Sequence, residues 1–154
     1  MKTKGFTLIE ILVAIAVLSV LVTIASLNLP KFMKTYKYKE DVFQVEMVIK
    51  NAKLKALEKS TNVSVCITNS KTLAVYDVGT SRSVCSCSGT LLYTVNLSSY
   101  STFNGSDCRF MFDPRGLGVF PGNVCITSGE VYTKFTVASA AGRILIERGS
   151  GTCR

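Results

Sequence analysis

The chain has 154 residues, with 18 Lys and Arg against 10 Asp and Glu, six cysteines, no histidine and a net charge of +8. Without histidine there is no Ser-His or Cys-His pair for nucleophilic catalysis and no mixed cysteine–histidine zinc site. No glycine-rich phosphate loop occurs, so neither an enzyme nor a cofactor or metal is expected, and the moderately basic balance permits contact with anionic surfaces without demanding it.

At the N-terminus Lys2 and Lys4 precede Gly5, and from Phe6 to Leu29 the only ionisable side chain is Glu10. A charge inside a membrane helix costs about 2.5–3.5 kcal/mol even on lenient insertion scales, so it is normally retained for a partner. Cleavage after Gly5 creates that partner, a new amino group at Phe6. A neighbouring subunit's Phe6 ammonium then meets Glu10 in the bilayer and both charges are neutralised. Gly5-Phe6-Thr7-Leu8-Ile9-Glu10 behind a basic leader resembles the class III leader of type IV pilins and type II secretion pseudopilins. The resemblance implies cleavage between Gly5 and Phe6 by a prepilin peptidase and methylation of the Phe6 amine. It also implies packing among other major and minor pilin or pseudopilin subunits in a helical fibre. An ordinary secretory signal peptide ending near Thr23-Ile24-Ala25 is disfavoured by a glutamate in its apolar region.

The apolar run is long enough to cross a membrane. Ile11 to Leu29 is 19 residues, which at about 1.5 Å each spans roughly 28 Å of hydrocarbon. Lys31, Lys34, Lys37 and Lys39 follow it, and a positive-inside count alone would place the rest of the chain in the cytoplasm. The six cysteines all lie beyond the helix and suit an oxidising periplasm, and together with the leader they decide the orientation. Loss of Lys2 and Lys4 with the leader lowers the charge by two, to +6.

Pro30 is expected to end or kink this helix. A second helical pattern runs to about Lys59, with Tyr38, Val42, Val45, Ile49, Ala52 and Ala56 tracing one face at spacings of three and four. Phe43, Met47 and Leu54 are read as widening that apolar face, and Ser60, Thr61 and Asn62 as closing the helix. Beyond them the texture changes to short alternating runs. Val63–Thr68 is the clearest strand, followed by Leu73–Asp77, Leu91–Leu97, Arg109–Phe112, Asn123–Thr127, Lys134–Ala138 and Arg143–Glu147. Val78–Gly89 and Ser98–Ser106 read as polar loops. A helix followed by strands points to an α+β domain with an antiparallel sheet against the stem.

The C-terminal third carries Phe112-Asp113-Pro114-Arg115-Gly116, then Gly122 with the strand through Ile126, Phe135-Thr136-Val137, and Ala141-Gly142-Arg143. This pattern resembles the GspH/FimT group of minor pilins and pseudopilins, and the stem segment Lys53–Ala56 fits as well. Only about Thr72 to Ser106 is unmatched. Read on their own, Pro114 and Gly116 specify a turn and Gly142-Arg143 a hairpin corner with a solvated arginine. The resemblance implies a minor subunit at a fibre tip or one that primes assembly. Some members of the group hold DNA with a Gly-Arg-x-Arg tail. Here Gly142 and Arg143 match but Leu145 replaces the second arginine, leaving Arg148, Arg154 and Lys134 as scattered phosphate contacts, with Arg109 and Arg115 secondary. Tyr132 and Phe135 are the nearby aromatics, and DNA contact is expected to be weak.

Cys66, Cys85, Cys87, Cys108, Cys125 and Cys153 are expected to form three disulfides, for which fifteen connectivities exist. We favour Cys125–Cys153, which ties down the tail after the last strand. One of Cys85 and Cys87 then reaches Cys66 and the other Cys108. The expected organisation is a leader (1–5), a transmembrane and assembly helix (6–29), a stem helix (30–60) and a periplasmic β-rich head (61–154) that forms one domain with the stem. The sequence thus points to an inner-membrane precursor of a pilin-like fibre subunit, most simply a type IV minor pilin. A type II secretion pseudopilin of the H type and a DNA-binding minor pilin for transformation are the alternatives.

Overall fold

A computed structural model describes residues 5–80, 84–139 and 141–153. Helix α1 runs over Leu8–Lys59, 52 residues, with Pro30 inside it. The helix therefore does not end at Pro30, one of the two outcomes expected there. Proline removes one backbone N–H from the ladder, and the propagating turns on both sides offset a single missing bond. The helix ends at Ser60, which takes a positive φ of 54°. The described residues fall into two compact units divided between Tyr36 and Lys37.

In the first unit, Leu8–Ser26 has a mean hydropathy of 2.8, and none of it is buried within the molecule, so it is long and apolar enough to cross a membrane. Its few hydroxyls carry their own partners. Ser19 donates to the Ala16 carbonyl at 2.7 Å, Thr23 to Ser19 at 2.8 Å and Ser26 to Thr23 at 2.8 Å. Each of these hydroxyls is thereby satisfied inside an otherwise apolar stretch.

The second unit packs the C-terminal part of α1 on nine strands: β1 (Asn62–Asn69), β2 (Thr72–Gly79), β3 (Thr90–Asn96), β4 (Thr102–Phe103), β5 (Asp107–Phe112), β6 (Gly118–Phe120), β7 (Gly122–Ser128), β8 (Val131–Val137) and β9 (Ile144–Ser150). They form two antiparallel sheets instead of the one expected, a five-stranded sheet in the order β3-β2-β1-β5-β6 and a four-stranded sheet in the order β4-β7-β8-β9. β4 and β6 are additions to the expected strands, too short for alternation to mark them. The sheets approach at Gly122, where a Cβ would lie 1.7 Å from the Arg109 carbonyl oxygen. Only glycine allows that contact.

Val42, Val45, Ile49, Ala52 and Ala56 of α1 are buried against Val63, Val65, Ile67, Phe110, Phe112, Ile126 and Phe135. Phe43, Met47 and Leu54 do not widen this face. They are 62%, 41% and 59% exposed, because the sheets cover only one narrow stripe of the helix. The Ser98–Ser101 turn is anchored from two sides. Buried Asp41 of α1 accepts the Ser98 N–H at 3.0 Å and its hydroxyl at 2.6 Å. The Lys71 ammonium donates to the carbonyls of Ser98, Ser99 and Ser101. This turn delivers the chain to β4.

Candidate functional site

Phe6 lies just before α1 and Glu10 in its first turn, and both are exposed. Thr7 and Glu10 bond reciprocally. The Thr7 N–H donates to a Glu10 carboxylate oxygen and the Glu10 N–H to the Thr7 hydroxyl, both at 3.4 Å. This is a capping box, which the Thr-x-x-Glu spacing signals in the sequence. Glu10 thus has a local role at the helix start as well as a free oxygen and a charge. An anion in the first turn also complements the helix dipole. Gly5 is described and exposed, whereas Lys2 and Lys4 lie outside the described residues.

The two C-terminal motifs meet in space. Asp113, 1% exposed, accepts the N–H groups of Arg115 and Leu117, each at 2.9 Å, and the Arg115 guanidinium at 3.1 and 3.0 Å. Burial pushes this carboxyl up, but the Leu117 N–H, the Arg115 side chain and the Arg115 N–H outweigh it and hold the group below its ordinary value. The resulting turn ends at Gly116, φ 73°. Gly142, φ 55°, packs so closely that a Cβ there would lie 2.0 Å from the Gly116 carbonyl oxygen. Lys53 of α1 closes the junction by donating to the Gly142 carbonyl at 2.9 Å. The stem lysine, the proline turn and the Ala-Gly-Arg corner are therefore one structural knot.

The basic residues considered for DNA do not share one face. Register pairs Thr133 with Arg148 and Lys134 with Glu147, so Arg148 lies on the helix side of the sheet and Lys134 on the other. Lys134 stands 3.7 Å from Glu147. Arg143 is exposed at the corner, and Arg154 lies outside the described residues. Arg109 donates to the Asn104 carbonyl at 2.7 Å, and Arg115 is engaged with Asp113. Phe135 is fully buried, while the Tyr132 ring lies over Gly149.

On the helix side of the same sheet is an open cavity of about 290 Å³ lined by Tyr38, Lys39, Val42, Phe43, Glu46, Thr133 and Arg148. Tyr38 shares a 2.8 Å hydrogen bond with Thr133. Burial pushes the Tyr38 phenol up, against the opposing pull of the Thr133 bond and the Arg148 charge.

The cysteines form Cys66–Cys87, Cys85–Cys108 and Cys125–Cys153, and none is free. Cys66 and Cys108 are direct cross-strand partners on β1 and β5, so Cys85 and Cys87 from one loop reach two neighbouring strands. The sulfurs of Cys66, Cys87 and Cys108 lie within 4.8 Å of one another. All three belong to these bridges, which removes them as thiolate metal ligands.

Residues 1–26 match the family model described as the prokaryotic N-terminal methylation motif. No curated protein sequence matches the chain. Motif and fold together define the class: a chain with the prokaryotic N-terminal methylation motif and a fold similar to that of pilins. Among solved structures, the fold is similar to the type IV minor pilin FimU of Pseudomonas aeruginosa PAO1 in its P21 crystal form. The TM-score is 0.55 at 16% identity, over 75% of this chain and 92% of that one. The P65 form gives a TM-score of 0.52 at 16% identity, over 71% and 91%. The chain is type IV minor pilin-like in its fold.

Proposed function

We propose that this chain is a minor subunit of a type IV pilus, cleaved between Gly5 and Phe6, methylated on the Phe6 amine and built into the fibre through α1. The observation that carries the reading is a single carboxylate, Glu10, in an exposed apolar span, Leu8–Ser26, that starts just after Phe6. An exposed helix of this kind is stable only in lipid or against other helices, and a charge within it needs a partner of opposite sign. Capture of DNA is a weaker reading, because phosphate binding needs several basic side chains acting together, and Lys134 and Arg148 point to opposite faces.

The test is incorporation. Glu10→Gln keeps the capping geometry and removes the charge. The full-length variant should still be processed to a chain starting at Phe6 by mass spectrometry, yet fall at least tenfold in sheared-fibre immunoblots. Normal incorporation, or a mature chain starting elsewhere, would sink the proposal. The rival role in a type II secretion pseudopilus requires that deletion of this chain abolish protein secretion while leaving pili intact.

A further inference from the structure

Two sheets have four edges, and natural proteins blunt such edges to prevent stray pairing. Three are blunted here. β4 has two residues and β6 has three. β3 carries a bulge, where the register steps from Tyr93 to Leu91 against consecutive residues of β2. β9 is different. Its seven residues pair with β8 in unbroken register from Val137↔Ile144 to Val131↔Ser150, and β9 is last in its sheet. It contains no proline and no lysine, its charges are confined to Glu147 and Arg148, and Leu145 and Ile146 are each 38% exposed. An edge this long and regular, apolar over its first three residues, offers a row of backbone donors and acceptors that only another extended chain matches in spacing.

The surroundings specify the chemistry of that chain. Thr133, Phe135 and Val137 of β8 face α1, and their partners Arg148, Ile146 and Ile144 lie on the same side. Beside them is the cavity between α1 and the sheet, in which Lys39 and Arg148 outnumber Glu46. Arg148 takes part in no ion pair among the described residues. We propose that the free edge of β9 receives an extended segment of a neighbouring pilin-fold subunit as a fifth strand, with apolar side chains two residues apart against Ile144 and Ile146 and a carboxylate against Arg148. This rests on the assembly role proposed above and names the contact through which the head takes part in it.

The experiment introduces a photoreactive phenylalanine analogue into the full chain in its native cells, at Ile144, Ile146 and Arg148 in turn, and maps the cross-linked residues by mass spectrometry. A strand has a period of two. Moving the label by two residues should therefore move the attachment site by two residues along one segment of a pilin-fold partner. Alongside, Leu145→Lys should reduce incorporation into sheared fibres at least tenfold. Leu91→Lys on the bulged β3 edge should leave it unchanged, with no free thiols in either variant. Attachment sites that step by three or four, that fall on a second copy of this chain, or that do not form would each overturn the strand pairing. So would normal incorporation of Leu145→Lys. If Glu10→Gln fails to incorporate while Leu145→Lys incorporates normally, the assembly role stands and the strand pairing alone is lost. If Glu10→Gln incorporates normally, the assembly role itself fails.

Discussion

At the scale of single residues, Asp113 shows how a motif with a bland appearance organises its surroundings. Its carboxylate is buried, satisfied by two backbone N–H groups and a guanidinium, and held below the ordinary carboxylate value. A carboxyl lowered on folding contributes stability that is fully present above its unfolded value, about 3.9, and is lost as the pH falls through the lower folded value. Asp113→Asn keeps the shape and removes the charge, so it should cost about 1–3 kcal/mol at neutral pH. It should also flatten the loss of stability between about pH 5 and pH 2. Urea unfolding of the full chain in detergent at several pH values measures both effects, and an acid limb as steep as wild type would contradict this account. Asp77, also lowered against the effect of burial by the Gly79 N–H, Thr61 and Lys59, and Glu58, lowered by the Lys55 ammonium, contribute to the residual slope in both proteins.

At the scale of elements, α1 has two faces with opposite fates. Ile49 is fully buried while Phe43 is 62% exposed. Truncating Ile49 to alanine should cost about 2–5 kcal/mol of head stability, and Phe43→Ala should stay within about 0.5 kcal/mol. Equal losses in urea unfolding would refute one-sided packing. The seven main strands and the core stripe of α1 were legible because period-two and period-3.6 patterns survive in single sequences. The assignment of Phe43, Met47 and Leu54 to the core failed because periodicity gives the angular position of a side chain, not the width of the surface that covers it. β4 and β6 escaped because two or three residues cannot show alternation. That the helix does not end at Pro30 escaped because a local rule about one lost bond says nothing of the turns that flank it. At the start of α1, the Thr7-x-x-Glu10 spacing marks the capping box that the structure contains. The junction of Lys53, Gly116 and Gly142 joins residues 89 apart in the chain, a distance that no local pattern reports.

At the scale of the whole molecule, the β2-β1-β5 order determines which cysteines can meet, since it sets Cys66 beside Cys108. Strand order depends on long-range pairing, so the sequence could narrow the bridges but not place them. Denatured, exported protein should show no free thiol on titration, and two or more would contradict the fully bridged state. Replacing Cys125 and Cys153 together by serine opens a loop with a sequence separation of 28. It should lower stability by about 3–4 kcal/mol, a cost set largely by the freed unfolded chain. The same bridges have a mechanical consequence. If the head is pulled from α1, the covalent path from Cys66 to Cys108 runs only through Cys87, Ser86 and Cys85. The rest of that stretch cannot pay out as slack. The segment from Cys125 to Cys153 is short-circuited in the same way. Even a head whose sheets had been torn apart by tension would lengthen by a small part of its contour, and would transmit load through sulfur instead of trailing a loose chain.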